Sequence, residues 1–136
     1  MGDAEVMRHT TRLASLCRMR RHIAGHAWQV RRLGFGCWTV RREGRVVGFG
    51  GLNDDPFDPG YGPEIAYFFA REAWGQGFAG ELVAASLELA RASGLASVRG
   101  FVHPDNAPSR RVLERAGFSV ERFVPQMTRW MLWRAV

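Results

Sequence analysis

Apolar side chains recur along this chain with two different periods, and the switch between them marks out its elements. Leu13, Leu16, Cys17, Ile23, Ala24, Ala27 and Val30 return at steps of three and four with arginines on the other face, which predicts an amphipathic helix. Gly36 to Arg42 and Arg45 to Asn53 read as strands. Glu43-Gly44 between them is a two-residue turn whose glycine tolerates positive φ, so the two strands should form a hairpin. Asn53 to Pro63 carries the turn residues of a loop, and Glu64 to Phe69 is the next strand. From Phe78 to Ser93 the strongly polar positions are Glu81, Glu88 and Arg91, which share one narrow stripe; a largely buried helix capped by Gly94 is expected. Ser97 to Val102 is a strand, Asn106 an N-cap, Pro108 a first-turn residue, and Gly117 the left-handed end of the helix between them. Ser119 to Val124 and Met127 to Trp133 complete the sheet. Without linker or repeat, residues 1–136 read as one α/β domain.

The most informative stretch is Trp74-Gly75-Gln76-Gly77-Phe78-Ala79-Gly80, between the strand ending at Phe69 and the buried helix. Glycines at a strand-to-helix junction leave backbone N–H groups bare at a helix N-terminus, where the dipole adds partial positive charge. That arrangement binds phosphates. Gly75-x-Gly77-x-x-Gly80 also satisfies the dinucleotide fingerprint. In a dinucleotide fold, however, the first glycine follows its strand directly inside a repeated βαβ sheet. Here Arg71, Glu72, Ala73 and Trp74 intervene and only one such unit can be found, although Asp105 supplies an acid past the next strand.

The other motifs break the tie. Val102-His103-Pro104-Asp105-Asn106-Ala107-Pro108-Ser109-Arg110-Arg111-Val112-Leu113-Glu114-Arg115-Ala116-Gly117-Phe118 reads as strand end, turn, capped helix and glycine stop. Upstream, Gly44-Arg45-Val46-Val47-Gly48-Phe49-Gly50-Gly51-Leu52 leads to Glu64-Ile65-Ala66-Tyr67-Phe68-Phe69. In this order and spacing the three motifs resemble the GNAT superfamily of acyl-CoA-dependent N-acetyltransferases, and within it the RimJ/RimL-like branch of ribosomal-protein N-terminal acetyltransferases. The resemblance runs from about Asp3 to the C-terminus. It implies a GNAT fold: a mixed, mostly antiparallel sheet splayed between two parallel strands and flanked by helices. Members of the branch usually start with a strand and helix of their own before the segment that here begins at Asp3, and the resemblance implies that this unit is missing. A truncation, a misplaced start or a neighbouring chain in a homodimer that completes the sheet would each account for it.

The resemblance also assigns roles. Acetyl-CoA is the expected cosubstrate and a primary amine the expected acceptor. The loop from Trp74 through Gly75, Gln76, Gly77, Phe78, Ala79 and Gly80 would hold the pyrophosphate through its backbone. The family places Arg or Gln where this chain has Trp74, whose side chain is expected to pack. The strand from Glu64, including Phe68 and Phe69, would offer its backbone to the pantetheine arm as a neighbouring strand would. The Phe69 amide would face the thioester carbonyl. Asn106 would hydrogen-bond the pantetheine, and Ser109 would donate to the leaving sulfur. Many GNAT enzymes place a tyrosine acid where this chain has Leu113; a thiol with pKa near ~8.5 does not require a strong acid to leave. Glu64 is the candidate base, directly or through water, with His103 in reserve, while His9, His22 and His26 are expected in the helical region without a chemical role. An α-amino acceptor, with a pKa of about 8, would need only a mild base.

Composition narrows the remaining choices. All 19 basic residues are arginine and the net charge is +6, which raises a nucleic-acid-binding alternative. The arginines come as scattered pairs on different elements with no nucleic-acid motif, so a solvated surface that attracts a polyanionic cosubstrate is preferred. A second alternative, motivated by Leu113 and the missing N-terminal unit, is a GNAT-like module that binds acyl-CoA without turning it over. Cys17 and Cys37 lack metal spacing and are expected to be small buried thiols; no metal site is expected. No apolar run approaches the ~20 residues that span a bilayer and no signal-peptide pattern opens the chain, so a cytoplasmic protein without membrane contact is expected.

Overall fold

A computed structural model describes residues 3–9, 16–54 and 60–136. Helix α1 (Leu16–Leu33) leads into the hairpin β1 (Cys37–Arg42) and β2 (Arg45–Asn53). Its turn has φ of 50° at Glu43 and 80° at Gly44, the left-handed pair that matches the twist of the flanking strands. β3 (Glu64–Phe69), a short 3-10 turn (Arg71–Ala73), α2 (Phe78–Ala92) and β4 (Ser97–Val102) form a parallel crossover. α3 (Ala107–Arg115) and the hairpin β5 (Ser119–Val124) and β6 (Arg129–Ala135) follow.

Among the described residues six strands form one sheet in the order β1-β2-β3-β4-β6-β5, antiparallel throughout except for β3 against β4. This is the splayed mixed sheet that the resemblance implied. β6 starts two residues later than the sequence pattern suggested. Met127 and Thr128 donate back to Val124 and Pro125 in a tight turn, and Thr128 takes φ of 53°.

The main core lies between the sheet and the helices α2 and α3, around Leu52, Ile65, Val83, Leu87, Val98 and Leu132. A smaller cluster of Val47, Phe69, Ala73 and Leu82 seats the first turn of α2 beside the end of β3. Gly48 makes that seat possible, because a Cβ there would lie 2.3 Å from the Phe69 ring.

Burial departs from the sequence expectations on both long helices. α2 is amphipathic rather than largely buried: Ala84 and Ala85 are exposed alongside the acidic stripe, which costs a small side chain almost nothing. On α1 the apolar stripe is not the buried face, since Ile23 is 56% and Val30 48% exposed. The helix instead meets the sheet through His26, whose ring lies edge-on to Phe49, and through the buried Gln29. Gln29 donates to the Asp54 carbonyl at 2.8 Å and accepts from the Asp54 N–H at 3.3 Å, so a polar clamp to the loop sets the rotation of the helix. Cys17, expected to be buried, is exposed, and Cys37 is half-buried; both thiols are free. Leu13 and residues 55–59 of the loop lie outside the described residues.

Candidate active site

β3 and β4 touch at one end and part at the other. Their pairing consists of Glu64 opposite Arg99, beside an Arg99 N–H bond to the Pro63 carbonyl at 2.9 Å. Counted in register from that pair, Tyr67 is level with Val102 and Phe68 with His103. The backbone of β3 beyond the vertex therefore lines an open V.

The β2 register decides which groups enter it. Phe69 faces Gly48, and the next amide, Ala70, donates to the Val47 carbonyl at 2.9 Å. Phe69 thus sits in a non-hydrogen-bonded pair, and alternation turns the peptide groups of Tyr67 and Phe69 away from β2 and into the V. Phe68, expected to offer its backbone to a ligand, turns its N–H and C=O into the β2 ladder instead. The Phe69 carbonyl is already taken, accepting from the Trp74 indole N–H at 2.8 Å. Trp74 is 49% exposed, so its side chain serves as a polar tether more than as packing.

Beside the open end of the V lies the start of α2. Its N-cap, Gly77, has φ of 87°, a left-handed value that only glycine adopts without strain, and no side chain caps the helix. Among the described residues a Cβ on Gly75, Gly77 or Gly80 would meet nothing within 4 Å, and all three glycines are exposed, so this turn is open to solvent. Gln76 does not plug it: its side chain donates to the Glu72 carbonyl and accepts from Arg42. Arg42, on the neighbouring hairpin, adds a guanidinium to a helix mouth that already favours anions. Phe78 and Ala79 are half-buried on the small core cluster, which holds the first turn in place. Sequence spacing could not have singled out Arg42, because its proximity comes from strand pairing.

Across the V, Asn106 caps α3 by accepting from the Ser109 N–H at 3.2 Å. Ser109 in turn has its hydroxyl 2.9 Å from the phenol oxygen of Tyr67. Tyr67 also lies 3.3 Å from the Ser109 carbonyl, which it can reach as a donor. Burial pushes the Tyr67 phenol above its ordinary pKa, with the Ser109 hydrogen bond opposing, so the group stays protonated. Nothing in the sequence singles out Tyr67, which reads there as one more aromatic in an apolar strand.

Glu64, half-buried at the vertex, accepts from the Asn53 amide at 3.3 Å. Five residues of strand, roughly 16 Å, separate it from the Phe69 amide. The two cannot touch one reacting atom, so a base at Glu64 would have to work through water. His103 is level with the open end, but its Nδ1 accepts from the Asp105 N–H at 3.2 Å and its ring stacks on His9 at 4.9 Å. His9 lies in the N-terminal turn rather than in a helix. Its carbonyl accepts from Arg129, a guanidinium that feels the Glu64 carboxylate. The same segment is tied to the far arm of the V by ion pairs from Arg71 to Asp3 at 3.6 Å and Glu5 at 3.8 Å. Burial lowers the His9 pKa, and Arg8 and His103 lower it further. Among the described residues no group of acidic, histidine or cysteine side chains could hold a metal ion.

The splayed parallel pair, the uncapped glycine-rich helix mouth and the capped helix facing it have counterparts in known proteins. The family model described as the acetyltransferase (GNAT) domain matches residues 1–119. The chain belongs to the GNAT acetyltransferase family. It is an acetyltransferase domain by that membership. Solved structures similar to it include an acetyltransferase from Agrobacterium tumefaciens, 21% identical, covering 88% of this chain and 72% of that one with a TM-score of 0.77. A ribosomal-protein-alanine N-acetyltransferase from Brucella melitensis is 24% identical over 99% of this chain and 89% of its own, with a TM-score of 0.71. RimJ from Mycobacterium smegmatis, in complex with CoA-disulfide, is 22% identical over 90% of this chain and 62% of its own, also with a TM-score of 0.71. At these identities the likeness is one of fold. No curated protein sequence matches the chain. Among the described residues no helix is long and apolar enough to cross a membrane.

Proposed function

We propose that this GNAT domain transfers the acetyl group of acetyl-CoA to a primary amine by direct attack in a ternary complex. The observation that carries this reading is the V itself: the amides of Tyr67 and Phe69 point into it while the open amides at the start of α2 lie at its rim. Phosphate oxygens are met by the N–H groups of Phe78, Ala79 and Gly80, whose dipole-enhanced charge needs no side chain. Tyr67 and Phe69, rather than Phe68, offer the strand edge to the pantetheine amides. The Phe69 N–H is aimed where the thioester carbonyl oxygen gains charge, a donor fixed in place by the strand backbone. Ser109 donates a hydrogen bond to the sulfur as it leaves, and Asn106 holds Ser109 in place.

Acetyl-CoA supplies an activated acyl group, so the acceptor needs only to arrive as a free amine. An α-amino group with pKa of about 8 is partly neutral near pH 7, so its proton needs no strong base and can pass along a chain of several waters to a distant carboxylate or to solvent. Glu64 fits that part better than His103, whose Nδ1 is occupied and whose Nε2 therefore carries the hydrogen in the neutral ring. Within the family, we place the chain in the RimJ/RimL-like branch with a protein N-terminal or small-molecule amine as acceptor; two structures of similar fold carry RimJ and ribosomal-protein-alanine acetyltransferase names, which supports this placement.

The test is thiol release from acetyl-CoA on mixing with a panel of small amines and peptides bearing free N-termini. Release that depends on both protein and amine is expected. Calorimetric uptake of CoA with no release for any amine would instead favour a binding module, and no uptake at all would overturn the reading.

A further inference from the structure

The contact between Tyr67 and Ser109 joins β3 to the first turn of α3 across the V, and the acyl transfer itself does not require it. We propose that Tyr67 is a positioning residue for the Ser109 hydroxyl, taking the place in the site that Leu113 cannot fill. This deepens the reading of Ser109 as the donor to sulfur and rests on it.

The geometry offers two hydrogen-bond arrangements. If the phenol proton goes to the Ser109 carbonyl at 3.3 Å, the serine proton is spent on the phenol oxygen at 2.9 Å. If the phenol proton goes to the serine oxygen, along the shorter contact, the serine proton is released to point elsewhere. The Ser109 amide is already fixed on Asn106, so only the hydroxyl can turn. A sulfur in the V, as an acceptor, selects the second arrangement and completes a chain from phenol to serine to sulfur. A buried phenol that remains protonated can hold this donor role across the working pH range. No proton has to leave either residue. As the carbon–sulfur bond breaks and sulfur takes the electron pair, the thiolate is stabilised by the serine O–H and later takes its proton from solvent. Chains of this kind strengthen each member, since each donor polarises the next.

Leu113 explains why the donor comes from this side. It is 1% exposed and packs over Gly100, where an added Cβ would lie 2.6 Å from it. Position 113 therefore looks into the core and not into the V.

The test uses CoA itself and needs no acceptor. The thiol pKa of bound CoA, followed by thiolate absorbance, reports directly on donors at sulfur. In the wild-type protein it is expected below the free-thiol value of ~8.5. Ser109→Ala should raise it by about one unit and Tyr67→Phe by a similar amount, each hydrogen bond being of that order. The double variant should match Ser109→Ala alone, because Tyr67 acts only through Ser109. Tyr67→Phe keeps the ring and its packing, and its melting temperature and CoA affinity verify that it folds. A bound thiol pKa unmoved by Ser109→Ala sinks the role of Ser109. One raised by Ser109→Ala but unmoved by Tyr67→Phe sinks the positioning role of Tyr67 alone. Effects that add in the double variant would also overturn it.

Discussion

The indole N–H of Trp74 donates to the carbonyl of Phe69 at 2.8 Å, so the residue that opens the glycine loop is fastened to the last residue of the strand before it. That bond consumes the carbonyl of the peptide unit following Phe69 and leaves the Phe69 N–H free to face the V. It also fixes the distance between the strand edge and the mouth of α2, the two features expected to grip opposite parts of one extended ligand.

Replacing Trp74 by Phe keeps an aromatic ring and deletes only this bond. A hydrogen bond of this kind contributes about 1 kcal/mol, so CoA affinity should fall roughly fivefold. The fold should barely respond, because half of the ring is exposed. Calorimetry with CoA and a thermal melt together check both parts; an affinity equal to wild type would show that the tether does not organise the site.

Gly77→Ala probes the same rim through the backbone. An added methyl meets no neighbour, so any effect comes from φ of 87°, which costs an L-residue roughly 1–2 kcal/mol. A melting temperature lower by several degrees is expected. Gly80→Ala, inside the first helical turn and equally unobstructed, should instead leave stability unchanged or slightly raised. Equal losses for both variants would refute the conformational explanation.

How much of this was legible in advance follows from the range of the forces involved. Local signals placed β2, β3, β4 and β5 at their observed limits, because alternation, the Glu43-Gly44 turn and the Asn106 cap act within a few residues. The glycine loop was legible for the same reason. The rotation of α1 was not, since hydrophobic periodicity assumes that the apolar stripe faces inward, whereas Gln29 is held by a loop 25 positions further on. Tyr67 and Arg42 stayed hidden because their partners, Ser109 and Gln76, are 42 and 34 positions away. The separation of Glu64 from the Phe69 amide was in principle countable along the strand, but only the parallel register shows that Glu64 sits at the closed end.

The two cysteines should separate by chemistry as they do by position. Burial, with the Glu64 charge adding to it, pushes the Cys37 thiol from its ordinary 9.0 up to about 12, while Cys17 is exposed. Only thiolate reacts with iodoacetamide, so at pH 8 Cys17 should be alkylated quickly and Cys37 only after unfolding. Peptide mass spectrometry reads this directly. The sign of the linked stability follows. A folded pKa above the unfolded one means that the stabilisation is complete below about pH 9 and is lost as pH rises from there towards 12. Chemical denaturation across that window should show falling stability in wild type and a shallower fall in Cys37→Ala. Rapid alkylation of Cys37 in folded protein at pH 8 would contradict the raised thiol pKa.

Leu113 gives the sharpest contrast between family habit and this chain. If a tyrosine acid were simply missing, restoring it with Leu113→Tyr should raise turnover. The structure argues otherwise: the side chain is 1% exposed and fills the space above Gly100, so a phenol there enters the core. Overpacking of that sort costs about 1–3 kcal/mol, and a buried hydroxyl without a partner adds to it. A melting temperature lower by several degrees, with turnover unchanged or reduced, is expected. Leu113→Ala should also destabilise, by about 2–5 kcal/mol, through the cavity it leaves. Faster turnover in Leu113→Tyr at undiminished stability would mean that α3 can present position 113 to the V, and the donor role assigned to Ser109 and Tyr67 would then be redundant.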